Sequence, residues 1–486
     1  MSAGATALLV IASVVGLATA IGFFARGHHR MDLEQWTVGG RGFGLLIMWL
    51  MMAGEYYTTF SLLGASGWVF SKGGPALYII AFVSLANCAV YFLGPEIWRL
   101  GKVHGLQTQA DYFQLVYGNR WLSAVVGLVG IAAIVPYLQL QLTGLGIIVS
   151  IASFGGIGQR FAMTVAAALV AAFVLASGIR AVAGISILKD ILMLGVVAFV
   201  GIAVPRMLFG GIGPMFARLA ETRPGHLTMP GAVPAYGHVW YISMVLMSSL
   251  GQLIWPHSFG SIFSGKDGET IRRNAVVMPL YCLMMPFVFF VGFAAVLSQP
   301  GLANGDLAFM SVVRASFPPW FLGLVGGAGA LAAIVPASIM LLTAATLFAK
   351  NLVRPILAPS LGDVGVARVA RSLVVALTGC SLWCALHSSP TLVALLQLGY
   401  GMVCQFFPGI VMGLVWNRAR APAVLCGILG GLAVLTFLEL THRDPVFGMA
   451  AGFLGLVVNF CVTIGLSLLG SGRREESGAF DLEAAR

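Results

Sequence analysis

Runs of about twenty apolar residues recur along this 486-residue chain from one end to the other, and that recurrence limits its fold more than any other feature. At 1.5 Å of rise per residue, each run crosses roughly 30 Å of bilayer hydrocarbon as a helix. Lipid offers the backbone no hydrogen-bond partners, so a spanning run must satisfy itself. The alternating pattern of barrel strands is absent from the sequence. Charge agrees: 9% of residues are charged and 59% hydrophobic, against about 25% charged in soluble domains. The chain is predicted to be an all-α integral membrane protein with about thirteen transmembrane helices. They fall near 3–25, 43–70, 73–98, 122–153, 158–178, 183–208, 238–263, 275–298, 318–349, 366–388, 391–416, 421–441 and 444–470. The first run is too long for a signal peptide and has no basic segment before it.

Basic residues predict the orientation. With the N-terminus outside, nineteen of the 27 lysines and arginines fall in inner loops, seven in outer loops, and Lys189 inside a span. The expected arrangement is therefore N-terminus out, C-terminus cytoplasmic. The net charge of +10 is this loop bias and does not imply a nucleic-acid partner. All seven cysteines fall inside spans, where cysteine behaves as a small hydrophobe. No metal site and no cofactor is expected, and the sequence does not give an oligomeric state. Residues 209–235 read as a Gly/Pro-rich outer segment, 104–120 as an amphipathic helix on the inner surface, and 472–486 as a polar tail.

Ionisable residues at membrane depth are costly and so mark function by default. Glu55 lies about twelve residues into the second span, roughly 18 Å along it. Its surroundings, WLMMAGEYYTTFSLLGASGW, carry glycines and hydroxyls that weaken the helix, as in a discontinuous, site-forming span. The plainer alternative is a glutamate bonded to a neighbouring helix. Lys189 and Asp190 lie roughly 13 Å in from Arg180. Adjacent helical residues point about 100° apart, so each is expected to meet a different helix. Removal from water disfavours a charged ammonium, so Lys189 can act as a proton carrier, or as a fixed cation replacing a metal ion. A purely structural ion pair is the alternative. Glu96 sits near Arg99, at the interface.

Further polar clusters interrupt the spans. Tyr137, Gln139 and Gln141 follow Pro136 in the fourth, and Ser248, Ser249, Gln252, Trp255 and His257 surround Pro256 in the seventh. A lone membrane histidine is commonly a packing residue, but its place at a broken helix makes His257 a candidate for substrate or proton contact. Pro336 and Pro408 mark further kinks. Two broken spans five spans apart fit two five-helix halves with a site where the breaks meet.

Four segments carry a family resemblance. WTVGGRGFG before the second span, GIRAVAGISILKDILML, AAIVPASIMLLTAATLFAKNLVRP and FPGIVMGLVWNR occur in the order and spacing of motifs of the sodium:solute symporter family. The resemblance covers about residues 36–420. It implies the leucine-transporter-type fold, a five-plus-five inverted repeat. Residues 1–30 would then add an N-terminal transmembrane helix, 36–420 form the ten-helix transporter core, 421–471 add two C-terminal helices and 472–486 form a cytoplasmic tail.

The departures from the family are as informative. Sodium-coupled members place Ser-Thr hydroxyls where this chain has Pro336 and Ala337, neither of which carries a side-chain oxygen. The family's aspartate aligns with Ser186, and the glutamine one turn later with Lys189. A hard cation needs about six oxygen ligands; here hydroxyls are lost and an ammonium gained. The resemblance thus points Lys189 at the sodium position, with a proton on Lys189 or Glu55 as the replacement. Trp255-Pro256-His257 and Glu55-Tyr56-Tyr57 further resemble the family's bacterial monocarboxylate permeases, whose substrates are lactate, pyruvate and similar short acids.

The resulting expectation is a proton-coupled, sodium-independent uptake symporter in a bacterial cytoplasmic membrane. Glu55, Tyr56, Tyr57, Thr58, Gln139, Ser249, Trp255 and His257 would line the substrate site, and Lys189, Asp190 and Glu55 would handle ion coupling. A sodium-coupled amino-acid or sugar symporter is the alternative, disfavoured by the missing hydroxyls. A transporter-like membrane sensor is another, but only about fifteen residues follow the last span. No nucleophile–base set suggests an enzyme.

Overall fold

The computed structural model describes residues 2–26, 38–176, 179–388 and 390–470. The expected tail at 472–486 lies outside the described residues. In chain order the helices are α1 (Ala3–Arg26), α2 (Leu45–Tyr56), α3 (Ala65–Lys72), α4 (Tyr78–His104), α5 (Gln109–Tyr117), α6 (Arg120–Ala152), α7 (Gln159–Ala176), α8 (Ile179–Phe209), α9 (Ile212–Thr222), α10 (His238–Ile254), α11 (Pro256–Ile262), α12 (Gly268–Cys282), α13 (Met285–Ser298), α14 (Ala308–Ser316), α15 (Pro319–Leu347), α16 (Asp363–His387), α17 (Leu392–Val403), α18 (Phe407–Val415), α19 (Ala421–Leu440) and α20 (Ala451–Leu469). Short 3-10 or π turns link several of them, and no strand occurs among the described residues.

Ten stretches among the described residues are helical, long and apolar enough to cross a bilayer, or eleven if α10 and α11 form one bent span. Two segments expected as spans are shorter: α2, cut off by a break, and the apolar part of α7. The segment after α8, expected on the outer side, is more ordered than its Gly/Pro content suggests, since it holds the amphipathic helix α9.

The two discontinuous spans sit at the centre. α15 passes beside them, and its apolar stretch is the most buried of the spanning ones among the described residues, at 89%. α1, α19 and α20 lie at the periphery, with most of their apolar surface uncovered, as helices facing lipid can be. α6 comes close to the first break: a Cβ on Gly144 would stand 2.6 Å from Thr59 Cβ, and the Thr59 hydroxyl donates to Gln141 Oε1 at 2.7 Å.

α5 corrects one expectation. It is nine residues long and buries Ala110, Tyr112, Phe113, Val116 and Tyr117 against the protein instead of lying on a membrane surface. Thr108 and Asp111 form its capping box, and Gly118 ends it in the left-handed conformation. Asp111 then clamps α5 to the C-terminal end of the α15 span. It accepts from Lys350 Nζ at 2.7 Å and Asn351 Nδ2 at 2.8 Å, while the Thr108 hydroxyl donates to Asn351 at 2.9 Å. Burial pushes the Asp111 carboxyl up, but Lys350 and the surrounding N–H donors outweigh it and hold the group below its ordinary value. A lowered folded-state value means this stability is complete above the ordinary carboxylate range and is lost as pH falls below it. Asp111→Asn should therefore cost about 2–3 kcal/mol at neutral pH, read as a lower melting temperature, with the wild-type advantage shrinking below about pH 4.

Candidate functional site

The first break follows from Gly54 and the residues after it. Glycine weakens the helix, and Tyr57 then turns extended, with φ −95° and ψ 90°. A π turn over Phe60–Gly64 restarts the span. The break frees carbonyls at the C-terminal end of α2, where the helix dipole is negative. Tyr56 O accepts from the Ser61 hydroxyl. Gly54 O and Tyr57 O accept from Lys189 Nζ at 3.0 and 3.2 Å. Gly54 favours this approach, because a Cβ there would crowd the ammonium at 3.3 Å and meet Ser186 Oγ at 3.4 Å. Gly54→Ala should lower transport several-fold while leaving expression intact, measurable by uptake normalised to protein.

The second break is made by Pro256, which has no N–H to donate and holds Trp255 extended at ψ 132°. The span bends by 53° there. The freed Ile254 carbonyl accepts from Gln109 Nε2 at 2.8 Å, so this carbonyl does not need lipid to satisfy it.

The buried charges meet between these breaks. Lys189 is fully buried, Asp190 is 1% exposed and Glu55 3%. As expected, each meets a different helix, Lys189 the end of α2 and Asp190 α12, but Lys189 Nζ also lies 3.0 Å from Asp190 Oδ1, so the two adjacent residues pair as well. The long lysine stem spans the angle that separates their Cβ atoms. Asp190 also accepts from the Tyr281 hydroxyl of α12 at 2.8 Å, and its second oxygen has no partner. Glu55 accepts from both hydroxyls of one face of α11, Ser258 at 2.8 Å and Ser261 at 2.6 Å. Glu55 thereby ties the first broken span to the second.

Glu55, Tyr56 and Tyr57 border a central cavity with Tyr137, Gln252 and Tyr400. Its volume is about 20 Å³, room for about one or two waters. The Tyr400 hydroxyl donates to Gln252 Oε1, and Trp255 packs on Tyr137 and Tyr400 at ring-centroid distances of 5.1 and 5.5 Å.

The other expected site residues are dispersed. Thr58 is buried and its Oγ1 caps Phe60 N at 3.1 Å. Gln139 turns from the central cavity and donates to Ser388 at 2.9 Å. Ser249 donates to the backbone of Val245 and Phe82. His257 faces a separate cavity with Gln107, Ser261, Thr343 and Thr346, and its Nδ1 has no partner. Pro336 and Ala337 are buried within α15, and the nearest hydroxyl on that helix, Ser338, donates to Ile334 O at 2.7 Å.

Ser258, Ser261 and Tyr281 were not foreseen, although they hold the acidic groups. The serine pair has a legible signal: three residues apart after a helix-starting proline, both face one side. Tyr281 has none, because only the crossing of α8 and α12 brings it to Asp190.

Comparison with known proteins places this architecture. The profile of the sodium:solute symporter family matches residues 36–431. An uncharacterized symporter of Bacillus subtilis, YhjB, is 40% identical, covering 98% of this chain and 99% of its own. A monocarboxylate transport permease protein of Rhizobium johnstonii is 29% identical, covering 96% of this chain and 97% of its own. In structure, a Na+-coupled sialic acid symporter superposes with a TM-score of 0.80 at 14% identity, over 96% of this chain and 98% of that one. The fold is the leucine-transporter type, that of a transporter and not of an enzyme. With two broken spans joined through buried charges and a family profile matched over most of its length, the chain belongs to the sodium:solute symporter family.

Proposed function

We propose that this protein is a proton-coupled, sodium-independent symporter that takes up a short monocarboxylate by alternating access. The position of Lys189 carries the reading. Its ammonium takes up two carbonyls of the first break, Gly54 O and Tyr57 O. A sodium ion there would have to displace a buried ammonium and find about six oxygens, while α15 offers Pro336 and Ala337 in place of hydroxyls. A positive charge fixed in the protein replaces one carried by an ion.

The proton follows from charge balance. Glu55, Asp190 and Lys189, all ionised, would sum to −1 in a dry interior, and such uncompensated charge is costly. One proton shared within the trio brings the sum to zero. Glu55 is the group placed to release it, because Ser261 joins Glu55 to the inner cavity that His257 lines. That cavity leads toward the Asp111–Lys350 clamp and the inner surface.

The substrate class is supported by the Rhizobium permease, whose name gives monocarboxylate transport. Tyr56, Tyr57, Tyr137, Gln252 and Tyr400 supply hydroxyl and amide donors around a small space, with Trp255 as its wall. The loop charges support a bacterial cytoplasmic-membrane orientation with the N-terminus outside. Proteoliposomes holding the purified protein should accumulate labelled lactate or pyruvate when the outside is acidic. Accumulation of alanine or a sugar instead, with neither acid taken up, would replace the substrate class.

A further inference from the structure

We propose that the outer-side cavity between Lys72 and Gln397 is a second carboxylate-binding station, where a short carboxylate and a proton are gathered before the central cavity opens. The inference rests on the uptake reading for its direction, but its chemistry stands on this cavity alone.

The cavity has a volume of about 170 Å³ against about 20 Å³ for the central one. Lys72, Tyr236, Asp306, Thr391 and Gln397 border it. The two are neighbours: Trp68, which lines the outer cavity, packs on Tyr78 at 5.6 Å, Tyr78 stacks on Phe82 at 5.8 Å, and Phe82 and Leu396 line the central cavity. A ligand in the outer cavity thus sits one aromatic layer from the buried charges.

Three donors border this one cavity. Lys72 Nζ lies over the Tyr236 ring at 5.1 Å, and no ion pair to it occurs among the described residues. Gln397 Nε2 is buried and has no hydrogen-bond partner. Thr391 Oγ1 accepts from Ala394 N, which leaves its hydrogen free to donate. An ammonium, an amide N–H and a hydroxyl are the donors that hold a carboxylate.

Asp306 stands in the same wall, and when ionised it repels an anion. Its Oδ2 accepts from Leu392 N at 3.0 Å. Burial pushes its carboxyl up to about 6, with the Leu392 N–H pulling the other way. The charged or titratable groups on the elements around it are few. Lys72 comes from α3 and Tyr236 from the outer segment. Arg314 of α14 is turned over the Phe154 ring, and α17 brings no charge to this wall. Protonated, Asp306 stops repelling the anion and becomes a fourth donor. Acidification through about pH 6 therefore strengthens carboxylate binding, and the site takes up both species together from an acidic outside.

The test places a cysteine at Ala394, which is exposed on the cavity wall, in the full-length protein with its native cysteines replaced. The protein is reconstituted in nanodiscs, a membrane-impermeant thiol reagent reports access, and acetate is the probe. Acetate should slow labelling at pH 5 more than at pH 7.5. Lys72→Met should weaken protection about tenfold, and Lys72→Arg should retain it. Asp306→Asn should make protection independent of pH. No protection by acetate at either pH, or equal protection in Lys72→Met, overturns the station. Protection by acetate without any lactate or pyruvate transport would sink the substrate class while leaving the station standing.

Discussion

Lys189→Gln is expected to abolish proton-driven accumulation, lowering it by about two orders of magnitude or more. The substitution removes the charge that satisfies Gly54 O, Tyr57 O and Asp190 together. Asp190 is left buried and uncompensated, a loss of about 3–5 kcal/mol where one partner of a buried pair is removed. Exchange of labelled for unlabelled substrate needs no net movement of the coupling proton, so it should survive if the protein folds. A variant that neutralises the pair, Lys189→Met with Asp190→Asn, separates folding from coupling. It removes the unpaired carboxylate and should recover the melting temperature without recovering accumulation. Full accumulation in Lys189→Gln would return this residue to a structural role.

Glu55→Gln should produce the second large effect, a loss of pH dependence. Glutamine keeps an oxygen for Ser258 or Ser261 but cannot take up or release a proton. Accumulation under a pH gradient should fall at least about tenfold, while exchange stays within a few-fold of wild type. Glu55→Ala is the harsher change. It leaves two buried serine hydroxyls without their acceptor and should also destabilise, by about 2–5 kcal/mol, seen as a lower melting temperature. If Glu55→Gln kept the wild-type pH profile, the exchangeable proton would belong to the Lys189–Asp190 pair.

The elements legible in the sequence were those governed by local chemistry. Apolar length reveals the spans, Gly54 and Pro256 reveal the breaks, and the cost of buried charge singles out Glu55, Lys189 and Asp190. What was not legible depends on the rotation of one helix against another. A helix apolar all round carries no stripe to say which face meets which neighbour. That is why Gln139 and Ser249, polar and at the right depth, turn out to bond Ser388 beyond α16 and the α4 and α10 backbones. It is also why His257 faces a separate cavity while Ser258 and Ser261, on the same short helix, bond to Glu55. α5 was misplaced for a related reason. Its apolar side looks alike whether lipid or protein covers it, and the Asp111–Lys350–Asn351 cluster that decides the matter spans some 240 residues of sequence.

The identity of the charge beside the first broken helix, a fixed ammonium or a sodium ion, decides how transport is driven. The direct measurement is uptake of labelled lactate into proteoliposomes under an inward proton gradient without sodium, compared with an inward sodium gradient at equal pH on both sides. A proton gradient alone should drive accumulation, and sodium should add nothing. Accumulation driven by sodium with no response to the proton gradient would contradict the replacement of sodium by Lys189.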